Sequence, residues 1–350
     1  MKLTFRWYGL NDSIPLEYIK EIPNMYSVVT SLYDKKPGQV WDKEELLALK
    51  KEVNAHGLKM EVIESIPVSE EIKLGSSKRD EHIAGFRENL KMCAEAGVKV
   101  VCYNFMPVFD WIRTDLEHHN PDYSTSLSYS EEELKKMDPK HLHLPGWDES
   151  YKSEELHVLL DKYASVSREQ LFDNYVYFLK AVMDICDEYD ISLAVHPDDP
   201  PWNVFDLPRI VSSEDDLDRL FKAVPDLHNG LTLCTGSLGE KKQNDVVHMA
   251  AKYSKEGRLY FAHLRNILRD DKKGDFIESG HFSEDGSLDM YEIVLALVRN
   301  GFDGYVRPDH GRNIFGEKGK PGYGLYDRAL GCTYINGLFE AVEKAGKERK

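Results

Sequence analysis

Four side chains in this sequence combine metal-ligand chemistry with a recurring spacing: His196, Cys234, His263 and Asp309, separated by 38, 29 and 46 residues. Each interval is about one strand plus one helix, so consecutive units would contribute one donor apiece. Imidazole and thiolate suit zinc or iron, and a carboxylate also suits manganese, so the set points to one divalent cation without selecting it. A single Cys or His on a strand is usually structural. Four donors at successive strand ends make coincidence the weaker explanation, because burying them together without a cation leaves charge uncompensated.

Each donor sits at or near the end of an apolar run: SLAVHPDDPP, LTLCTGS, LYFAHLRN and YVRPDHG. Side chains alternate along a strand, which puts Thr232 with Cys234, Phe261 with His263 and Arg265, and Tyr305 with Arg307 and Asp309. Each set can face inward at a barrel mouth.

The elements that must position these residues form a loose repeat, in which a helix ends at Gly and an apolar run follows. It is read at Gly57, Gly97, Gly230, Gly257 and near Gly301. A left-handed Gly turning a helix into a β-branched run is the joint between helix and strand. Asp42 with Glu45 reads as a capping box, opening a helix whose apolar face is Leu46, Leu49 and Val53. Further helices are predicted over 80–96, 167–189, 213–223, 244–255, 287–299 and 325–344. With runs at 3–9, 27–32 and 191–197 the strands number eight, which is the arithmetic of an α/β (β/α)8 TIM barrel spanning 1–350 as one domain. An open doubly wound sheet is the alternative, but no Gly-x-Gly-x-x-Gly follows the first strand.

Residues 106–165 break the rhythm as an insertion after strand four, rich in Trp111, Tyr123, Trp147, His118, His119, His141 and His143. Short helices are predicted near 130–137 and 153–162. The segment reads either as a solvated excursion or as a lid over the active site.

A net charge of -16 opposes broad attraction to nucleic acid, leaving small molecules as the expected partners. Five cysteines form an odd, sparse set that fits reduced thiols, and MKLTFRWYGLND reaches charge too soon for a signal peptide. No apolar run approaches membrane-spanning length. The expectation is a cytoplasmic, metal-dependent enzyme. Homo-oligomerisation is compatible with the composition, although no surface stripe marks an interface.

Taken together, RPDHG at 307–311, VHPDDPP at 195–201, LCTGS at 233–237, AHLRN at 262–266 and RWYG at 6–9 resemble the D-mannonate dehydratase family. The likeness runs over essentially the whole chain. It implies a xylose-isomerase-like barrel, Mn(II) or Fe(II) on the four donors, and loss of water from D-mannonate to give 2-keto-3-deoxy-D-gluconate in hexuronate (glucuronate) catabolism.

Such a lyase must remove a weakly acidic C2 proton and protonate the departing C3 hydroxyl, with positive charge stabilising what develops. Beside Asp309, the candidates for proton transfer are His310 and Tyr323, the latter in the loop GEKGKPGYG, and the resemblance favours Tyr323. Arg265, Arg307 and Arg312 are candidates for the substrate carboxylate, because a planar guanidinium matches it bidentately. Asn104 and Tyr8, at strand ends, are candidates for substrate hydroxyls. A metal-dependent sugar isomerase or epimerase on the same barrel is the alternative reading. A phosphodiesterase acting on damaged DNA is a remoter one, since it calls for more metal ligands and a less acidic surface.

Overall fold

The computed structural model describes residues 1–139 and 153–347. In chain order its first elements are β1 (Lys2–Arg6), α1 (Leu16–Glu21), β2 (Ser27–Thr30), α2 (Lys43–Ala55), β3 (Lys59–Glu64), α3 (Glu70–Lys73), α4 (Arg79–Glu95) and β4 (Val100–Tyr103). Then follow β5 (Asp115–His119), β6 (Thr125–Tyr129), α5 (Glu131–Lys136), α6 (Ser153–Tyr163), α7 (Arg168–Tyr189), β7 (Ser192–Val195), α8 (Glu214–Ala223) and β8 (Asn229–Cys234). The last are α9 (Thr235–Gly239), α10 (Val246–Lys255), β9 (Leu259–His263), β10 (Ile267–Asp270), β11 (Asp275–Glu278), α11 (Met290–Arg299), β12 (Tyr305–Arg307) and α12 (Tyr326–Lys347).

Eight parallel strands close into a barrel in the order β1, β12, β9, β8, β7, β4, β3, β2. The eight expected runs supply all of them. Side chains filling the barrel form their own apolar cluster: Val29, Val62, Val100, Cys102, Ala194, Phe261 and Tyr305. Two residues further along their strands, Glu64, His196, His263 and Arg307 return to the same inward face, now at the C-terminal mouth. Register places Cys234 and Arg307 on either side of His263.

The joints explain why the strands begin where they do. Gly57, Gly97, Gly257 and Gly301 all lie in the left-handed region and end the helices before β3, β4, β9 and β12. Gly230 differs from the expectation, because it lies inside β8 rather than at a helix end. There a Cβ would overlap the Tyr260 ring and the Arg258 carbonyl oxygen, so close packing rather than backbone conformation demands glycine. The joint between α7 and β7 uses Asp190 (φ 50°) instead. At α2, Asp42 accepts from the Glu44 and Glu45 amides as expected, while the Glu45 carboxylate pairs with Lys35 rather than closing the capping box.

The insertion holds what periodicity did not reveal. Strands β5 and β6 form a hairpin that joins β11 and β10 in a separate antiparallel sheet, ordered β10, β11, β6, β5. Its central pairing sets Phe276 against Tyr129, elements far apart in sequence. Helices α5 and α6 fall where short helices were expected. Trp147, His141 and His143 lie outside the described residues.

Candidate active site

The four predicted donors meet. The ligating atoms of His196, Cys234, His263 and Asp309 lie within 4.8 Å of one another, and three of the residues are buried. Donors about 2.0–2.3 Å from one ion stand a few ångströms apart, so this spacing accommodates a single cation. His196 Nδ1 lies 2.7 Å from the Pro197 carbonyl oxygen, which accepts its proton and leaves Nε2 as the free lone pair. Ser237 Oγ stands 3.0 Å from Cys234 Sγ. Asp309 is held by Arg307 (2.7 Å) and Arg265 (3.0 Å). Burial alone would raise the Asp309 carboxyl, but Arg307 and its other cationic neighbours keep it well below the ordinary range.

His196 and Asp309 face a cavity of about 310 Å³, lined as well by Tyr8, Asn104, Arg307, His310 and Tyr323 from the predicted set. Two predicted carboxylate binders lie elsewhere. Arg265 follows the end of β9, where strand alternation no longer dictates direction, and is fully buried. Its guanidinium pairs with Asp199 (2.7 Å), Glu240 (3.1 Å), Glu278 (3.2 Å) and Asp309, and it is not among the residues that line the cavity. Arg312 is held by Asp327 (3.0 Å) and Asp122 (2.7 Å), tying the loop after β12 to α12 and the insertion, away from the cavity lining.

A hydrogen-bonded series runs from the second sheet to the cavity. Glu278 Oε1 lies 2.7 Å from His310 Nδ1, and His310 Nε2 lies 2.9 Å from Tyr323 Oη. Burial would raise the Glu278 carboxyl, but His310, Arg265 and Arg113 outweigh it and hold it low. Burial, reinforced by nearby Asp309, pushes the Tyr323 phenol up to about 12. The phenol is therefore protonated throughout the neutral range.

Several lining residues were not among the site candidates drawn from sequence: Arg6, Glu64, Asp110, Trp111, Asp199 and Lys320. Glu64 had a readable signal, since it closes the apolar third run as a polar stop. Trp111 did not, because only the folded insertion brings its ring to 5.6 Å from that of His310. The insertion thus forms one wall of the cavity through Met106, Asp110 and Trp111.

A family profile described as D-mannonate dehydratase (UxuA) matches residues 1–349. The chain belongs to the D-mannonate dehydratase family. Mannonate dehydratase 2 of Halalkalibacterium halodurans is 49% identical over 344 residues, covering 98% of this chain and 99% of the relative. The crystal structure of mannonate dehydratase from Streptococcus suis serotype 2 superimposes with a TM-score of 0.93 at 44% identity, covering 99% and 96% of the two chains. A xylose isomerase-like TIM barrel protein from Mycobacterium smegmatis, solved in complex with magnesium, gives a TM-score of 0.56 at 12% identity over 98% and 97% of the chains, a likeness of fold alone.

Proposed function

We propose that this protein removes water across C2 and C3 of D-mannonate to give 2-keto-3-deoxy-D-gluconate, a step of hexuronate breakdown, with Mn(II) or Fe(II) held by His196, Cys234, His263 and Asp309. The observation that carries this reading is the convergence of four donors within 4.8 Å, beside a cavity, in a member of the D-mannonate dehydratase family. A cation held there would draw electron density from the substrate carboxylate and its neighbouring hydroxyl, lowering the cost of removing the C2 proton.

The protein's own groups do the rest. Tyr323, neutral at physiological pH, supplies a proton to the departing C3 hydroxyl. Glu278 fixes the His310 ring through Nδ1, leaving the Nε2 lone pair to take the C2 proton; His310 then returns that proton to Tyr323, so the leaving hydroxyl departs as water and both groups end as they began. Arg307, paired with Glu64 and Asp309 but unlike Arg265 lining the cavity, is the guanidinium placed to meet the substrate carboxylate, and Tyr8 and Asn104 offer hydrogen bonds to hydroxyls. Residues 1–350 are read as one barrel domain, and the insertion walls the cavity through its first residues, Met106, Asp110 and Trp111. Five unbridged cysteines support a cytoplasmic setting. Among the described residues no helix is long and apolar enough to cross a membrane.

The test is product analysis. Protein stripped of metal and reloaded with Mn(II) or Fe(II) should convert D-mannonate to a 2-keto acid, detected as a carbonyl derivative. An epimerised aldonate or a ketose in place of the 2-keto acid would favour the isomerase or epimerase reading instead.

A further inference from the structure

At the end of β3, Glu64 faces the back of His263. Its Oε2 lies 3.5 Å from His263 Nε2, and neither buried atom has a hydrogen-bond partner among the described residues. The other oxygen, Oε1, is clamped by Arg6 (2.7 Å) and Arg307 (3.0 Å), so the carboxylate cannot swing away. On the opposite edge of the ring, Arg307 Nη2 lies 3.4 Å from His263 Nδ1. Arginine only donates, so Nδ1 carries the lone pair and the ring proton belongs on Nε2, pointing at Glu64. Nδ1 is also the edge turned towards Asp309, 3.9 Å away, so a cation bound there would take this lone pair in place of the long Arg307 contact, while Arg307 keeps its pairs with Glu64 and Asp309.

We propose that Glu64 is a positioning residue that accepts the Nε2 proton of His263 and presents Nδ1 to the cation; this rests on the four-donor reading above. Two unpartnered buried polar groups are costly, and a shift of a few tenths of an ångström closes the bond into the ordinary range, near 3 Å. A histidine held from behind by a carboxylate is fixed in tautomer and orientation and is the more basic ligand, and loss of such a partner typically weakens metal binding by about 10- to 100-fold.

The experiment titrates metal-free protein with Mn(II) by calorimetry. Wild type should take one ion, and Glu64→Ala should bind it more weakly by about 10- to 100-fold, with Glu64→Gln between the two. Arg6→Met, which removes one of the two Glu64 clamps and leaves that of Arg307, should weaken binding clearly less than Glu64→Ala. In wild type loaded with diamagnetic Zn(II), nitrogen NMR of labelled histidine should find the His263 proton on Nε2, a measurement that stands even where a Glu64 variant fails to fold.

Glu64→Ala binding as tightly as wild type would overturn the proposal, and so would a proton on Nδ1. The same holds for an Arg6→Met loss equal to that of Glu64→Ala. Two ions in wild type would instead assign Glu64, Cys102 and His263 to a second cation and also overturn it. If wild type binds no divalent ion, the four-donor reading itself fails, a result distinct from a variant that merely matches wild type.

Discussion

At the residue scale the meeting of His196, Cys234, His263 and Asp309 was legible because such side chains are rare on strands and their intervals match the strand–helix unit. The substrate-facing cations were not, since the direction of an arginine beyond a strand end depends on the acids that fold around it. Arg265 shows this: it shares sequence parity with His263 yet spends its guanidinium on four carboxylates. Two substitutions separate the roles assigned here. Cys234→Ala should abolish bound metal, measured by elemental analysis, and turnover with it, while the helical circular dichroism signal persists. Tyr323→Phe removes only the transferable proton, so it should lower kcat by roughly 10²- to 10⁴-fold while the protein still takes up its ion. Retention of full activity by the phenylalanine variant would remove Tyr323 from the reaction.

At the element scale, helix–strand alternation was readable because the joints carry glycine and the buried parallel strands are apolar runs. The antiparallel sheet was not readable: β5 (DLEHH) is largely polar, β10 and β11 are four residues each, and the hairpin finds its partners only in the folded molecule. The glycines themselves divide into two physical kinds. Gly257 has a positive φ and open space, whereas Gly230 has no room for a Cβ. Asparagine tolerates the left-handed region, so Gly257→Asn should cost no more than about 1 kcal/mol, less than Gly257→Ala at roughly 1–2 kcal/mol. At Gly230 the order reverses, with Ala costing about 1–3 kcal/mol and Asn more. Chemical denaturation of the four variants checks this, and equal ranking at the two sites would refute the distinction.

At the scale of the whole molecule, the insertion, three barrel loops and the second sheet are joined through one buried charge cluster. Arg113 reaches Asp199 (2.5 Å) and Glu278 (2.7 Å) and faces Glu240 (3.5 Å), while Arg265 faces the same three acids. Two guanidiniums here face three carboxylates, with Asp309 also on Arg265 and His310 on Glu278. Burial and the neighbouring Asp199 raise Glu240 well above its ordinary value, so of the three acids it is the one that takes up a proton most readily. Asp199 runs the other way: burial is outweighed by Arg113 and Arg265, and it is held low. The two therefore respond to pH with opposite sign. The contribution of Asp199 is complete above the ordinary carboxylate range, near pH ~4, and is lost as acid carries the pH down through its folded value. Glu240 favours folding most below that range, and its contribution declines as pH rises towards its raised folded value. Glu240→Gln mimics the protonated acid, so it should match or exceed wild-type stability at pH 7–8 and flatten the neutral side of a plot of Tm against pH. Asp199→Asn strips two buried arginines of a partner and should cost about 3–5 kcal/mol at neutral pH. Thermal unfolding across pH 4–9 decides between them: if Glu240→Gln loses as much as Asp199→Asn, Glu240 is ionised and the cluster balances its charge some other way.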